Sequence, residues 1–492
     1  MTVNPKKMRP YDQPPKRRRT LIPDGPDSAA AGFLVAAAIW FVIATGIGLL
    51  AIGLRLVTFE LSIPLGLFDL SFELDQRRVD AAFANATVFG WLSNAGFAAI
   101  AFMTPRLLGR RMVGEKLMNL GLAMWNLALA GGIGLLYVFD LGVNGPLTAL
   151  PWFVEGGLAT GALIVTGVFL ATAGTSLRTG YISLWFAGIA LLGLLGMTSL
   201  AAGLGILDAF FGLDGVPVGL ASAFIGRVLM TLWLLGMTYA ILHYVVPRAA
   251  GQPLASGGIA LLTWISWLLL APLAGLAVLL DASVPYFVTS AGAMATMLLL
   301  LPASLAAVNL SLTMNGRWSL LFGRGTAAFA AVSVAFLLGH TLLEAIGALR
   351  SVTVAVGPTD WSLGVFLWAA YGTVTLAALA LADHAIPRVM RRSWSGGPLA
   401  GATLWLAFGG AALAGMALMF GGMAEGSLLA GGAAPDAIMA GTFWYRAVAF
   451  LGIGLSALAG FALLGTLFLA YTSGEPADYV VPGQAGAAAA GH

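Results

Sequence analysis

Three side chains with chemistry of their own interrupt long apolar runs in this sequence. Arg227 lies in ASAFIGRVLMTLWLLGM (221–237), and His340 and Glu344 lie in GHTLLEAIGAL (339–349). A guanidinium presents a planar fork of N–H donors, and a carboxylate can accept two of them in parallel. An imidazole can carry a proton or ligate a metal. His340 and Glu344 are four residues apart, so a helix puts both on one face. The set could hold an ion pair, relay a proton or offer one metal ligand. A plainer reading stands beside these: an Arg–Glu pair that only ties two helices together. In apolar surroundings an ionisable group is a functional candidate by default, because its burial is costly. His243 (ILHYVVPR) and His384 (LADHAIPR) precede arginines near the ends of apolar runs and read as interfacial, solvent-near residues. Asp383, beside His384 and near Arg388, reads as part of an interfacial charge cluster. The four histidines, the last being His492, match no metal spacing.

These residues must be positioned by membrane-spanning helices. The chain of 492 residues is 59% hydrophobic and 9% charged, with a mean hydropathy of +0.92. Apolar runs long enough to span a bilayer recur along its length, near 31–55, 81–104, 117–139, 151–173, 181–206, 218–246, 257–280, 285–310, 327–349, 361–386, 397–422 and 444–471. They are too long and too apolar for barrel strands, so they are predicted to be helices, which satisfy their own backbone in lipid. Lys and Arg fall eighteen on the side of the N-terminus and five on the other, with Arg227 inside a span. That asymmetry predicts an integral protein with both termini cytoplasmic. On this topology Arg227 lies about 13 Å below the outer end of the sixth helix, and Glu344 about 9 Å below that of the ninth.

Residues 1–30, basic and proline-rich, are expected to form a disordered cytoplasmic tail, and 474–492 a second, low-complexity one. Residues 31–473 form the membrane domain. No internal sequence repeat is evident. The chain has no cysteine, which excludes disulfides, thiolate metal sites and covalent c-type haem on this chain. The basic residues are juxtamembrane, so a nucleic-acid partner has no support.

Several stretches resemble the haem-copper oxidase superfamily, and within it subunit I of the C-family (cbb-type) cytochrome c oxidases. They are FANATVFGW (83–91), HYVVPR (243–248), LTMNGRW (312–318), Thr359-Asp360-Trp361, HAIPRVMRR (384–392) and FWYRAV (443–448). The resemblance runs in order from about residue 31 to 473, and it implies a twelve-helix subunit I-like bundle. Carried over motif by motif, it also implies that the family's metal ligands are substituted. The low-spin haem ligand opening the second-helix motif falls on Phe83, and the two haem ligands after Thr-Asp-Trp fall on Val365 and Leu367. The copper ligand of the sixth helix falls on Arg227, and the copper pair of the seventh on Leu273 and Ala274. The family's cross-linked tyrosine falls on Trp267. Among the residues before the second-helix motif that hold haem propionates, Asp80 replaces a basic one while Arg78 remains. Glu344 and Arg350 match an acidic and a basic position of the family.

The expected function is therefore a redox-inactive pseudo-subunit, without catalytic residues, metal or cofactor. It would be a structural, assembly or docking platform in the bacterial cytoplasmic membrane. Its expected partners are lipid and respiratory subunits such as c-type cytochromes or an authentic oxidase or reductase. Two alternatives remain open: an unorthodox b-type haem protein using His340, and a transporter or channel using the polar residues Arg227, Glu344 and His340. The large replacements Phe83, Trp267 and Leu367 suggest space filled by side chains. Glu344 would be a buried carboxylate without a partner unless Arg227 reaches it.

Overall fold

The computed structural model describes residues 22–57, 61–64, 71–139, 145–212, 215–279, 284–323, 325–357, 359–393 and 397–477. Among them are twelve helices long and apolar enough to cross a membrane. They are α1 (Ser28–Leu56), α2 (Gln76–Leu108), α3 (Glu115–Leu136), α4 (Trp152–Leu177), α5 (Ile182–Phe211) and α6 (Val216–Ala250). The second half comprises α7 (Gly257–Leu279), α8 (Tyr286–Thr313), α9 (Thr326–Gly347), α10 (Trp361–Met390), α11 (Gly397–Ala430) and α12 (Pro435–Ser473). The all-α bundle follows the expected runs in number and order. A short antiparallel hairpin, β1 (Leu61–Pro64) with β2 (Ser71–Leu74), joins α1 to α2.

Most of the two expected tails lies outside the described residues. The described part of the first is packed against the bundle. Asp27 is buried and accepts both Nη groups of Arg106 at 2.7 and 2.9 Å. Glu115 then accepts from the backbone N–H of Asp27 and Ala29, so α1 begins at Ser28 with its first donors satisfied. At the same end of the bundle, Arg392–Ser393 pairs antiparallel with Glu475–Pro476 after α12.

Three helices, α2, α6 and α10, carry a π-helical turn, at Ala86–Leu92, Leu229–Leu234 and Trp368–Val374. Each of these helices also has a proline in its last turn, followed by arginine: Pro105-Arg106, Pro247-Arg248 and Pro387-Arg388. Each closes on a left-handed residue, Gly109, Gly251 or Arg391. The unit recurs every four helices. No repeat is expected from the sequence, because only the Pro-Arg pairs mark it and the side chains between them differ.

The π turns connect the central helices. A π turn shifts the backbone ladder by one residue, so the Val88 and Ala370 carbonyls accept the N–H of Ser93 and Thr375, five residues on. Ser93 Oγ donates to Val88 O at 2.7 Å, and Thr375 Oγ1 donates to Ala370 O at 2.8 Å. Each hydroxyl in turn accepts an indole from a neighbouring helix: Trp233 Nε1 of α6 on Ser93 (2.9 Å), and Trp91 Nε1 of α2 on Thr375 (2.7 Å). The hydroxyls of Thr87 and Tyr371 add a third link at 3.0 Å. Small residues allow the close approach. A Cβ at Gly372 of α10 would overlap the Phe336 ring of α9.

Thr375→Ala strands the Trp91 N–H and is expected to cost about 1–3 kcal/mol, while the Ala370 carbonyl keeps the backbone N–H of residue 375. In detergent unfolding, Trp91→Phe combined with Thr375→Ala should cost less than the sum of the two single changes. Strict additivity would rule out the relay.

Candidate functional site

Arg227 precedes the π turn of α6, and Glu344 lies in the last turn of α9. Their side chains meet fork to fork: Nη1 donates to Oε1 at 2.6 Å and Nη2 to Oε2 at 2.5 Å. This is the partner that Glu344 requires. Arg227 Nε and His340 Nδ1 have no hydrogen-bond partner. All three residues line a cavity of about 230 Å³ that runs from Gly357 and Trp361 down α10 to Ala369. Lining the cavity leaves the paired side chains slightly open, 19% for Arg227 and 17% for Glu344. The expected polar set is thus brought together in one place.

The other singled-out positions divide. Val365 is on the wall of the same cavity. Phe83, 2% exposed, belongs to a packed aromatic group. Its ring stacks on Tyr371 at 6.3 Å and meets the edge of Phe366 at 6.2 Å, and Phe41 stacks on Trp91 at 4.4 Å close by. Leu367 is fully buried one turn from Tyr371 on the same face. Trp267 is fully buried and donates Nε1 to the Thr231 carbonyl at 2.9 Å. Ala274 is buried, whereas Leu273 is 46% exposed. Adjacent residues on a helix point about 100° apart, so this pair does not face one centre and Leu273 is outside the site. Arg350 lies with its guanidinium 5.9 Å from the Tyr286 ring.

The residues expected to touch haem propionates are committed to protein partners. Arg78 is 4% exposed and donates to Asp75, Glu73 and the carbonyls of Leu136 and Phe139. Asp80 accepts both Nη groups of Arg55 at 2.8 and 2.7 Å. Arg55 also reaches Asp360 (3.4 Å), which accepts from Arg446 (2.7 Å), and Arg446 contacts Glu425 (3.4 Å). This ion network clamps the ends of α1, α2, α10, α11 and α12 beside the cavity mouth. Their partners are remote along the chain, so local spacing does not pair them.

His243 is not solvent-near as expected. It is fully buried against Phe186, with Nδ1 2.8 Å from the Tyr239 carbonyl and Nε2 unpartnered. The last turns of α6 are covered by α5, and the helix continues past Pro247 to Ala250. His384 is half-buried between the edges of Phe102 and Tyr244. Asp383 accepts from Thr326 Oγ1 at 2.6 Å. One ionisable residue went unnoticed in the sequence. Glu155, in the first turn of α4, is 1% exposed and neither carboxylate oxygen has a partner. Its only signal is a carboxylate in PWFVEGG at the edge of an apolar run, where an interfacial position is the ordinary reading.

The family described as cytochrome c and quinol oxidase polypeptide I matches residues 28–453. The chain belongs to this family. It is also similar to the cbb3-type cytochrome c oxidase subunit CcoN1 of Stutzerimonas stutzeri. That relative is 23% identical over 414 residues, which cover 80% of this chain and 82% of the relative. Among solved structures, a haem-copper terminal oxidase dimer studied by cryo-EM shares the fold. It superposes with a TM-score of 0.74 at 14% identity, covering 94% of this chain and 86% of that one. Twelve apolar helices and this membership make it an integral membrane protein related to subunit I of the haem-copper oxidases.

In this subunit I-like bundle, Arg227→Ala leaves Glu344 buried and unpaired, and should cost about 3–5 kcal/mol. Adding Glu344→Gln should recover part of that loss in thermal unfolding. Equal stability of wild type and Arg227→Ala would show that the pair contributes nothing. Glu155 has no bond to lose, so Glu155→Gln should match or exceed wild-type stability. A clear loss in the same assay would reveal a partner for its carboxylate.

Proposed function

We propose that this subunit I-like protein has lost the haem and copper ligands of its family and acts as a redox-inactive platform for membrane partners. The observation that carries the reading is chemical. The positions that the resemblance assigns to ligands hold Phe83, Arg227, Leu273, Ala274, Val365 and Leu367. Haem iron and copper need a lone-pair donor such as imidazole. Five of these residues have none, and a guanidinium stays protonated. Packing supports the same reading. The Phe83 neighbourhood is filled by Phe366, Tyr371 and Leu367, and Arg78 and Asp80 are already bonded within the chain. Among the described residues no group of three or more His, Asp or Glu could hold a metal. The residues present do not fit the family's metal groups, so no reaction step is assigned to them.

The charge asymmetry of the loops supports insertion in a bacterial cytoplasmic membrane with both termini inside. Relatives that are oxidase subunits support other membrane subunits as partners, such as c-type cytochromes or an authentic oxidase or reductase. Within this reading Arg227 and Glu344, one cation and one anion, neutralise each other where metal charge would otherwise stand.

The test is a dithionite-reduced minus oxidised spectrum of the purified chain, with non-covalent haem quantified. No b-type haem is expected, and mild-detergent co-purification should bring down a partner carrying covalent haem. About one haem per chain would overturn the redox-inactive reading and point to His340, which has an unpartnered ring nitrogen.

A further inference from the structure

The Arg227–Glu344 cavity ends blindly. Beneath it, toward the end carrying both termini, the three helices that line it meet large buried side chains. On α6 the next turns present Trp233, fully buried, and Trp267 of α7 packs beside Gly236. On α9 Phe336 is 3% exposed, one turn below His340. On α10 Tyr371 is 1% exposed, two residues below Ala369. Trp368 Nε1 donates to the Phe336 carbonyl at 3.1 Å and closes the α9–α10 seam. A conduction path would have to pass this layer. The mouth lies at the opposite end, between the short helix Arg350–Val356 and the start of α10.

We infer that this pocket is a receptor site for a small uncharged amphipathic molecule, taken from the side of the membrane opposite the termini. Size sets one bound. A dry cavity of about 150 Å³ accepts benzene, and drug-sized ligands need about 300 Å³ or more. At about 230 Å³ the pocket suits a compact ring bearing a small polar head. Charge sets the second bound. Both terminal nitrogens of Arg227 are bonded to both oxygens of Glu344. Arg227 Nε and the remaining carboxylate lone pairs can still bond a guest, but the two charges already cancel, so an ion entering the pocket would meet no free counter-charge. A bound ion would itself be an unpaired charge in a largely buried pocket. A neutral molecule leaves the pair intact. The lining sets the third bound. Ser362 is exposed near the mouth and can bond a polar head, while Val365, Ala369 and Met230 make an apolar floor.

The inference stands on the cavity alone, and its readout is separate from haem content. Calorimetric titration of the purified full chain would use three probes of similar shape: 2-phenylethanol, phenylacetate and phenethylammonium. The alcohol is expected to bind saturably and at least about tenfold more tightly than either ion, a difference of about 1.4 kcal/mol. Ser362→Trp at the mouth and Ala369→Phe at the floor should each weaken the alcohol by about tenfold or more. Ser362 is at the surface, so its variant tests the site even if Ala369→Phe does not fold. Any of four outcomes overturns the inference. These are no saturable binding of the alcohol, equal binding of all three probes that survives Ser362→Trp, tightest binding of phenylacetate, and a phospholipid held by wild type but released by Ser362→Trp. The last would assign the pocket to an acyl chain.

Discussion

Lipid offers no hydrogen bonds, so backbone groups within the spans must find their partners inside the protein, and charged side chains there are costly unless paired. The rest of this structure follows from that constraint. At the π turns of α2 and α10 the residue whose N–H bonds five residues back also donates its hydroxyl to that carbonyl, and the hydroxyl receives an indole from the neighbouring helix. The relay satisfies the buried indoles and links α2, α6 and α10 together. The same constraint pairs Arg227 with Glu344 and binds Arg55, Asp80, Asp360, Glu425 and Arg446 into one network.

Around α10 the interior divides into two neighbourhoods of different character. Toward α2, aromatic rings pack around Phe83. Toward α6 and α9, small and medium side chains at Val365, Ala369 and Met230 leave a cavity beside the ion pair. The first neighbourhood contributes dense packing and rigidity. The second keeps accessible volume next to charge, which is where specific recognition can develop. A platform for partners and a pocket for a small ligand are compatible in one bundle, because the two properties reside on different faces of the same helix.

Some of the site was legible from residue type and spacing. A buried carboxylate needs a counter-charge, and Arg227 and Glu344 were the two opposite charges at similar depth. His340 shares a face with Glu344 through helical periodicity. Other positions misled. His243 stands next to a basic helix end, which suggests solvent, but α5 covers it. Leu273 follows the same proline as Ala274, yet the helix turns it outward. Glu155 resembles an interfacial carboxylate because a one-residue reading cannot see which face of α4 is covered.

The sequence by itself determined the membrane class, the number and order of helices and the family. These depend on apolar run length, on loop charge and on short motifs, all local along the chain. Only the tertiary structure decided which neighbourhood is filled and which is hollow, how the outer charges pair, and that the π turns recur every four helices. Those properties arise from side chains far apart in sequence, such as Phe83 with Tyr371 and Arg227 with Glu344, whose distances exist only once the helices pack.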